Sequence, residues 1–167
     1  MAMSVAALSL TSCGNDNDEP SQPSLTDGYV GEYSGKMTLS IAGQYDYETD
    51  IRVKISRGDN ETISVAFPEY SLSNTMMGDI TLGGLTLDNL VYDSSKAYFN
   101  LSYGEAGKKQ YFKAESNGKV TMDGYYDLTA PSNITVAMNE NGTLTIVNSF
   151  RIGSMPMPIK ATFTGLK

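Results

Sequence analysis

Residues 29–55 read YVGEYSGKMTLSIAGQYDYETDIRVKI, and this stretch decides the fold. Tyr29, Gly31, Tyr33, Gly35, Met37, Leu39 and Ile41 share one parity, with Ser34, Lys36, Thr38 and Ser40 on the other. Beyond Gly43 the alternation resumes: Tyr45, Tyr47, Thr49, Ile51, Val53 and Ile55 interleave with Asp46, Glu48, Asp50, Arg52 and Lys54. Successive strand side chains point to opposite faces, so a period of two over this length predicts strands with one buried face. A short glycine-containing turn between two such runs predicts a hairpin.

The same grammar runs to the end of the chain. Ile63, Val65 and Phe67 follow Gly58-Asp59-Asn60, and Ile80, Leu82, Leu85 and Leu87 flank Gly83-Gly84. Phe99, Leu101 and Tyr103 lead to the segment 104–107, and Tyr111-Phe112 lead to Asn117-Gly118. Val120, Met122 and Tyr126 precede Pro131. Ile134, Val136 and Met138 turn at Asn141-Gly142 into Leu144, Ile146 and Phe150, and Ile159, Ala161 and Phe163 close the chain. Asn-Gly suits a type I′ turn, whose two central residues both need positive φ. About eight to ten strands and no helix are expected. Even spacing and sequential hairpins favour an all-β, single up-and-down antiparallel barrel over residues 29–167, which also removes exposed edges. A β-sandwich is the alternative.

The other end of the chain speaks to location. Residues 1–10, MAMSVAALSL, are apolar or small and uncharged, and Leu10-Thr11-Ser12-Cys13 follows before an abrupt change to GNDNDEP. That is a secretory hydrophobic segment with a small-residue cleavage site, too short for the roughly 20 residues a membrane-spanning helix needs. Leu-Thr-Ser-Cys resembles the bacterial lipobox. Residues 1–12 are therefore expected to be a signal peptide, and Cys13 to carry palmitate-type acyl chains. No basic residue precedes Cys13, so the signal is expected to be truncated at its start. Residues 13–28, with Asp16, Asp18, Glu19, Pro20 and Pro23, read as a flexible acidic tether that buries too little surface to order itself. Acidic residues just after the lipidated cysteine resemble a surface-export signal of Bacteroidetes lipoproteins.

Gly31-Glu32-Tyr33-Ser34-Gly35, Met77-Gly78-Asp79-Ile80 before Leu85-Thr86-Leu87, and Ile159 to Gly165 ending in Phe163-Thr164-Gly165 look like the calycin-like β-barrel lipoproteins of Bacteroidetes. The resemblance implies an architecture like that of lipocalins and avidin, and it brings no catalytic set to carry over.

Chemistry narrows by exclusion. With no His and a single Cys among 167 residues, His-based nucleophile systems, His-ligated metals, disulfides within the chain and cysteine clusters are ruled out. No phosphate loop or dinucleotide fingerprint appears. A net charge of −7 opposes nucleic acid and leaves the acyl chain as the expected membrane link. Asp46, Glu48 and Asp50, about 6.5 Å apart in succession, have a spacing that glycosidases use, but they share their face with Arg52 and Lys54. Arg57-Gly58-Asp59 reads as turn chemistry. No enzyme, cofactor or metal is expected.

Two functions remain. One is a non-catalytic outer-membrane or cell-surface lipoprotein acting as a binding or interaction module. The other is a lipocalin-like carrier of a small apolar ligand in the lumen, with a glycan-active enzyme a distant third. Partners would be the membrane through the lipid, and a small apolar molecule, a glycan or another surface protein. Met76, Met77, Tyr92, Tyr103, Met155 and Met157 are the candidate ligand-binding residues, because Met packs adaptably and Tyr joins an apolar ring to a polar tip. The barrel is expected to be mostly filled, with at most a shallow pocket near the methionines.

Overall fold

A computed structural model describes residues 24–43 and 45–167. The signal segment, Cys13 and the tether as far as Pro23 lie outside the described residues. Where description begins, Ser24 caps a 3-10 turn at Leu25–Gly28: its hydroxyl accepts from the Thr26 amide, and its amide donates to Asp27 Oδ2. Thr26 is fully buried, and Arg57 pairs with Asp27, so this turn is docked on the domain.

Eleven strands follow: β1 (Gly31–Ile41), β2 (Tyr45–Arg57), β3 (Ile63–Phe67), β4 (Tyr70–Thr75), β5 (Gly78–Leu82), β6 (Leu85–Asp93), β7 (Tyr98–Ser102), β8 (Lys109–Ser116), β9 (Lys119–Met138), β10 (Leu144–Ile152) and β11 (Ile159–Leu166). β1 and β2 pair along their whole facing length, with Gly31 opposite Ile55 and Ile41 opposite Tyr45. A closed eight-stranded antiparallel barrel runs β1–β2–β3–β6–β7–β9–β10–β11 and back to β1.

The three remaining strands are not a separate unit. Tyr70 opposite Leu82 keeps the register of Phe67 opposite Leu85, so β3 and β4 form one long strand, and so do β5 and β6. β7 and β8 likewise run one after the other along β9, with Phe99 opposite Val136 and Tyr111 opposite Tyr125. The fold is thus an eight-strand meander. Three of its strands break as they leave the barrel, and β9 continues through. The breaks are chemically legible: Pro68 has no amide to donate, and Gly83-Gly84 allows a close approach, with Gly84 against Phe67 and Pro68. Beyond them, β4, β5, β8 and the first half of β9 make a four-stranded extension that lies alongside β2 and folds over one barrel end.

The hairpin signals divide. Asn117 and Gly118 both have positive φ, 52° and 71°, as a type I′ turn requires. At Asn141-Gly142 only the glycine does (77°). There the Asn139 side chain accepts from the Asn141 and Thr143 amides and shapes a longer loop.

The interior is filled. Tyr33, Met37, Leu39, Ile41, Ile55, Ile63, Phe99 and Phe163 are among its largest fully buried side chains. At the base, where the 3-10 turn sits, Tyr29 meets Phe99 edge to face at 4.9 Å, and the Tyr33 hydroxyl donates to the Tyr29 carbonyl at 2.7 Å. Lys167 lies over the Tyr33 ring at 5.5 Å. No helix among the described residues is long and apolar enough to cross a membrane.

Candidate functional site: the covered barrel mouth

The end of the barrel opposite the base is where a lumen would open. The barrel supplies Met37 from β1, Phe67 from β3, Leu85 from β6, Asn148 and Phe150 from β10 and Ala161 from β11. The extension lowers Tyr70, Leu82 and Gln110 onto them. Together these side chains enclose a gap of about 10 Å³. Roughly that volume admits one water, whereas small-molecule pockets run to several hundred Å³.

Polar groups tie this seam together. The Tyr103 hydroxyl donates to Asn148 Oδ1 at 2.5 Å inside the barrel. Gln110, almost wholly buried, donates from Nε2 to the Gly83 carbonyl at 2.7 Å and the Tyr111 carbonyl at 3.0 Å, pinning β8 to the break between β5 and β6. Burial pushes the Tyr70 and Tyr103 phenols well above the usual tyrosine range. The neighbouring Tyr103 adds to the effect on Tyr70, and the Asn148 bond partly offsets it for Tyr103. Both phenols stay neutral at physiological pH.

The six residues singled out from the sequence are dispersed. Met76 is exposed at the β4–β5 turn, where its amide donates to the Tyr47 hydroxyl at 2.8 Å, and Met77 is half-buried beside it. Met155 and Met157 are half-buried in the β10–β11 loop. That loop belongs to the same barrel end, since Ala42 in the β1–β2 turn donates to the Pro158 carbonyl at 3.1 Å. Tyr103 points into the barrel below them. Tyr92 is at the base, edge to face with Phe99 at 5.1 Å. The four methionines and Tyr103 therefore share an end, Tyr92 does not, and none of the six lines the gap.

Gln110 and Asn148 are the polar residues that sequence reasoning missed. The signal was present: Asn148 falls on the parity of Leu144, Ile146 and Phe150, and Gln110 on that of Phe112 and Ala114. A polar side chain on a buried parity must find a partner.

Roomier hollows lie outside. A groove of about 290 Å³ is lined by Ser102, Gly104, Glu105, Pro131, Ser132 and Asn133. Asp46, Glu48 and Asp50 face solvent on the barrel exterior, where Glu48 pairs with Lys36 at 3.1 Å. Among the described residues no three His, Cys, Asp or Glu gather around a possible metal position. Gly58 and Asp59 form the β2–β3 turn with Thr62, whose hydroxyl donates to the Asp59 carbonyl at 2.6 Å.

A closed eight-stranded antiparallel meander is an up-and-down barrel of the lipocalin kind. The chain belongs to the calycin-like beta-barrel domain family, which matches residues 30–166. A crystal structure of a protein from Bacteroides fragilis NCTC 9343, provisionally described as an outer membrane protein, superposes with a TM-score of 0.54 at 20% identity. The match covers 84% of this chain and 51% of that one, so the chain spans about half the length of its neighbour. The likeness is one of fold. No curated protein matches the chain.

Proposed function

We propose that this is a non-catalytic lipoprotein of the outer membrane, anchored through Cys13 and exposed at the cell surface, whose barrel is a binding or interaction module working from its outer surface. The observation that carries the outward-working reading is the covered mouth, with its gap of about 10 Å³. A ligand of ordinary size would need a volume some tens of times larger. The anchor and its location rest on Leu-Thr-Ser-Cys13 and the acidic residues after it. The membership in a family of barrels supports binding over catalysis, as does the solvent-facing setting of Asp46, Glu48 and Asp50, with Glu48 paired to Lys36.

The test is native mass spectrometry of the protein extracted from its own host's membranes. The expected spectrum carries acyl mass at the N-terminus and no other small molecule. A stoichiometric apolar ligand retained by the barrel would replace this reading with that of a carrier. Digestion by protease added to intact cells tests surface exposure, and protection until lysis would place the domain on the periplasmic face.

A further inference from the structure

The extension that covers the mouth has a second face, turned to solvent. Its four strands set side chains there in cross-strand rows. In one row Tyr111 of β8 stands opposite Tyr125 of β9, and the Gly83 amide donates to the Tyr111 carbonyl. In the next, Thr81, Lys113 and Asp123 are successive cross-strand partners, and Ser71 reaches Thr81 with hydroxyl oxygens 2.8 Å apart.

Tyr111 and Tyr125 meet edge to face at 5.4 Å. Tyr125 is 73% exposed, an unusual place for a large ring. Tyr111 is fixed in three ways. Tyr125 abuts it, its hydroxyl donates to Asp123 Oδ1 at 2.8 Å, and its ring leans on Gly83, where an added Cβ would come within 2.7 Å of the Tyr111 Cβ. A ring already held in place loses little rotamer freedom when something binds beside it. A cross-strand aromatic pair also stabilises a sheet by a few tenths of a kcal/mol to about 1 kcal/mol. That role does not require a ring face left open to water.

The charges on the face say what it suits. Lys113 pairs with Glu115 at 3.2 Å and Lys109 with Asp127 at 3.6 Å, each within the face. Asp123 has no ion pair among the described residues. A face whose lysines are already neutralised gives an anionic polymer nothing to bind. What it offers is a π-face beside a carboxylate acceptor, an ammonium donor and two hydroxyls. Those are complementary to an uncharged ring that is apolar on its C–H face and studded with hydroxyls at its rim.

We infer that the outer face of the extension, centred on Tyr111, Tyr125, Asp123 and Lys113, binds neutral glycans, a pyranose stacking on Tyr125 while its hydroxyls bond Asp123 and Lys113. This deepens the outward-working reading and rests on it.

The experiment titrates the purified full chain with a panel of neutral oligosaccharides (malto-, cello-, xylo- and manno-series) and, separately, with oligolysine. Binding is followed by calorimetry and by NMR of ring-labelled tyrosine. The expected result is saturable binding of at least one sugar series, with shifts confined to Tyr111 and Tyr125. Tyr125→Ala should weaken it about tenfold, the equivalent of about 1.4 kcal/mol, while Tyr125→Phe keeps it and Asp123→Asn weakens it. An unchanged melting temperature in these exposed variants shows that folding is not at issue. No saturable sugar binding, binding indifferent to Tyr125→Ala, or saturation by oligolysine alone would each overturn the inference. None of these would bring a ligand into the barrel, so the outward-working reading stands or falls separately, on the mass spectrum.

Discussion

Tyr103, just past the end of β7, and Asn148 in β10 are joined across the inside of the barrel by a hydrogen bond at 2.5 Å. Both are almost completely buried. Removing the hydroxyl with Tyr103→Phe deprives the buried Asn148 acceptor of its partner, which costs about 1–3 kcal/mol. Thermal or denaturant unfolding should show a loss of that size. Replacing both partners, in Tyr103→Phe/Asn148→Leu, should recover much of it, because no orphaned polar group then remains. A double variant as unstable as the sum of the two singles would contradict this account.

Gly35 is the tightest point of the β1–β11 seam. A Cβ built there would fall 2.1 Å from the Thr164 carbonyl oxygen and 2.5 Å from the Gly165 Cα, both backbone atoms that cannot swing aside. Gly35→Ala should cost at least about 3 kcal/mol, the upper range for overpacking. Gly28→Ala, with open space around its Cα, should stay within about 0.5 kcal/mol of the parent. Equilibrium denaturation of the two variants side by side checks the contrast.

Alkaline pH should unfold the domain through its buried phenols. Burial, reinforced by the neighbouring Tyr29, pushes Tyr33 up to about 12, and burial likewise raises Tyr29, Tyr70 and Tyr103. In the unfolded chain these groups ionise near pH 10. The folded state therefore holds more protons than the unfolded one above that pH, and stability falls as pH rises. The contribution is complete below about pH 10 and drains away as pH climbs through about 12. Phenolate absorbance and circular dichroism recorded together should show this buried set ionising only as the strand signal is lost.

Cys13→Ala should abolish incorporation of labelled fatty acid and release the protein from membranes. The thiol is the only one in the chain, so no second cysteine can substitute. Undiminished labelling would remove the lipoprotein assignment.

Strands were readable wherever one face is buried, because alternation in β1, β2, β10 and β11 directly records which side faces the core. β4 is hard to read from sequence, since only Tyr70, Leu72 and Thr75 mark its buried face and serines and asparagine fill the rest. Gly83-Gly84 does separate β5 from β6, although the pairing register runs on across it, whereas Pro131 lies within β9. Local signals register a change of direction but not whether the pairing register survives it. The candidate site was less legible still. Nothing in the sequence says which barrel end Tyr92 or Met76 occupies. Only barrel closure sends one to the base and the other to the opposite end. Asn148 and Gln110 stand at inward parities, but which partners satisfy them, Tyr103 across the barrel and the Gly83 and Tyr111 carbonyls at the strand break, is decided only by the fold.

The seam where β1 meets β11 sets the order in which the molecule can be made. Ser34 pairs with Leu166 and Ile41 with Ile159, joining the opening strand of the domain to its last. Neighbouring hairpins can zip up early, but the ring cannot shut until the final strand is available. Contacts this distant along the chain fold slowly, since the entropy of closing the loop comes before any reward. Until that moment the nascent chain carries two bare strand edges, on β1 and β10, which are templates for pairing with other chains. A chain truncated before Ile159 would keep both edges for good and should aggregate more readily than one that carries β11.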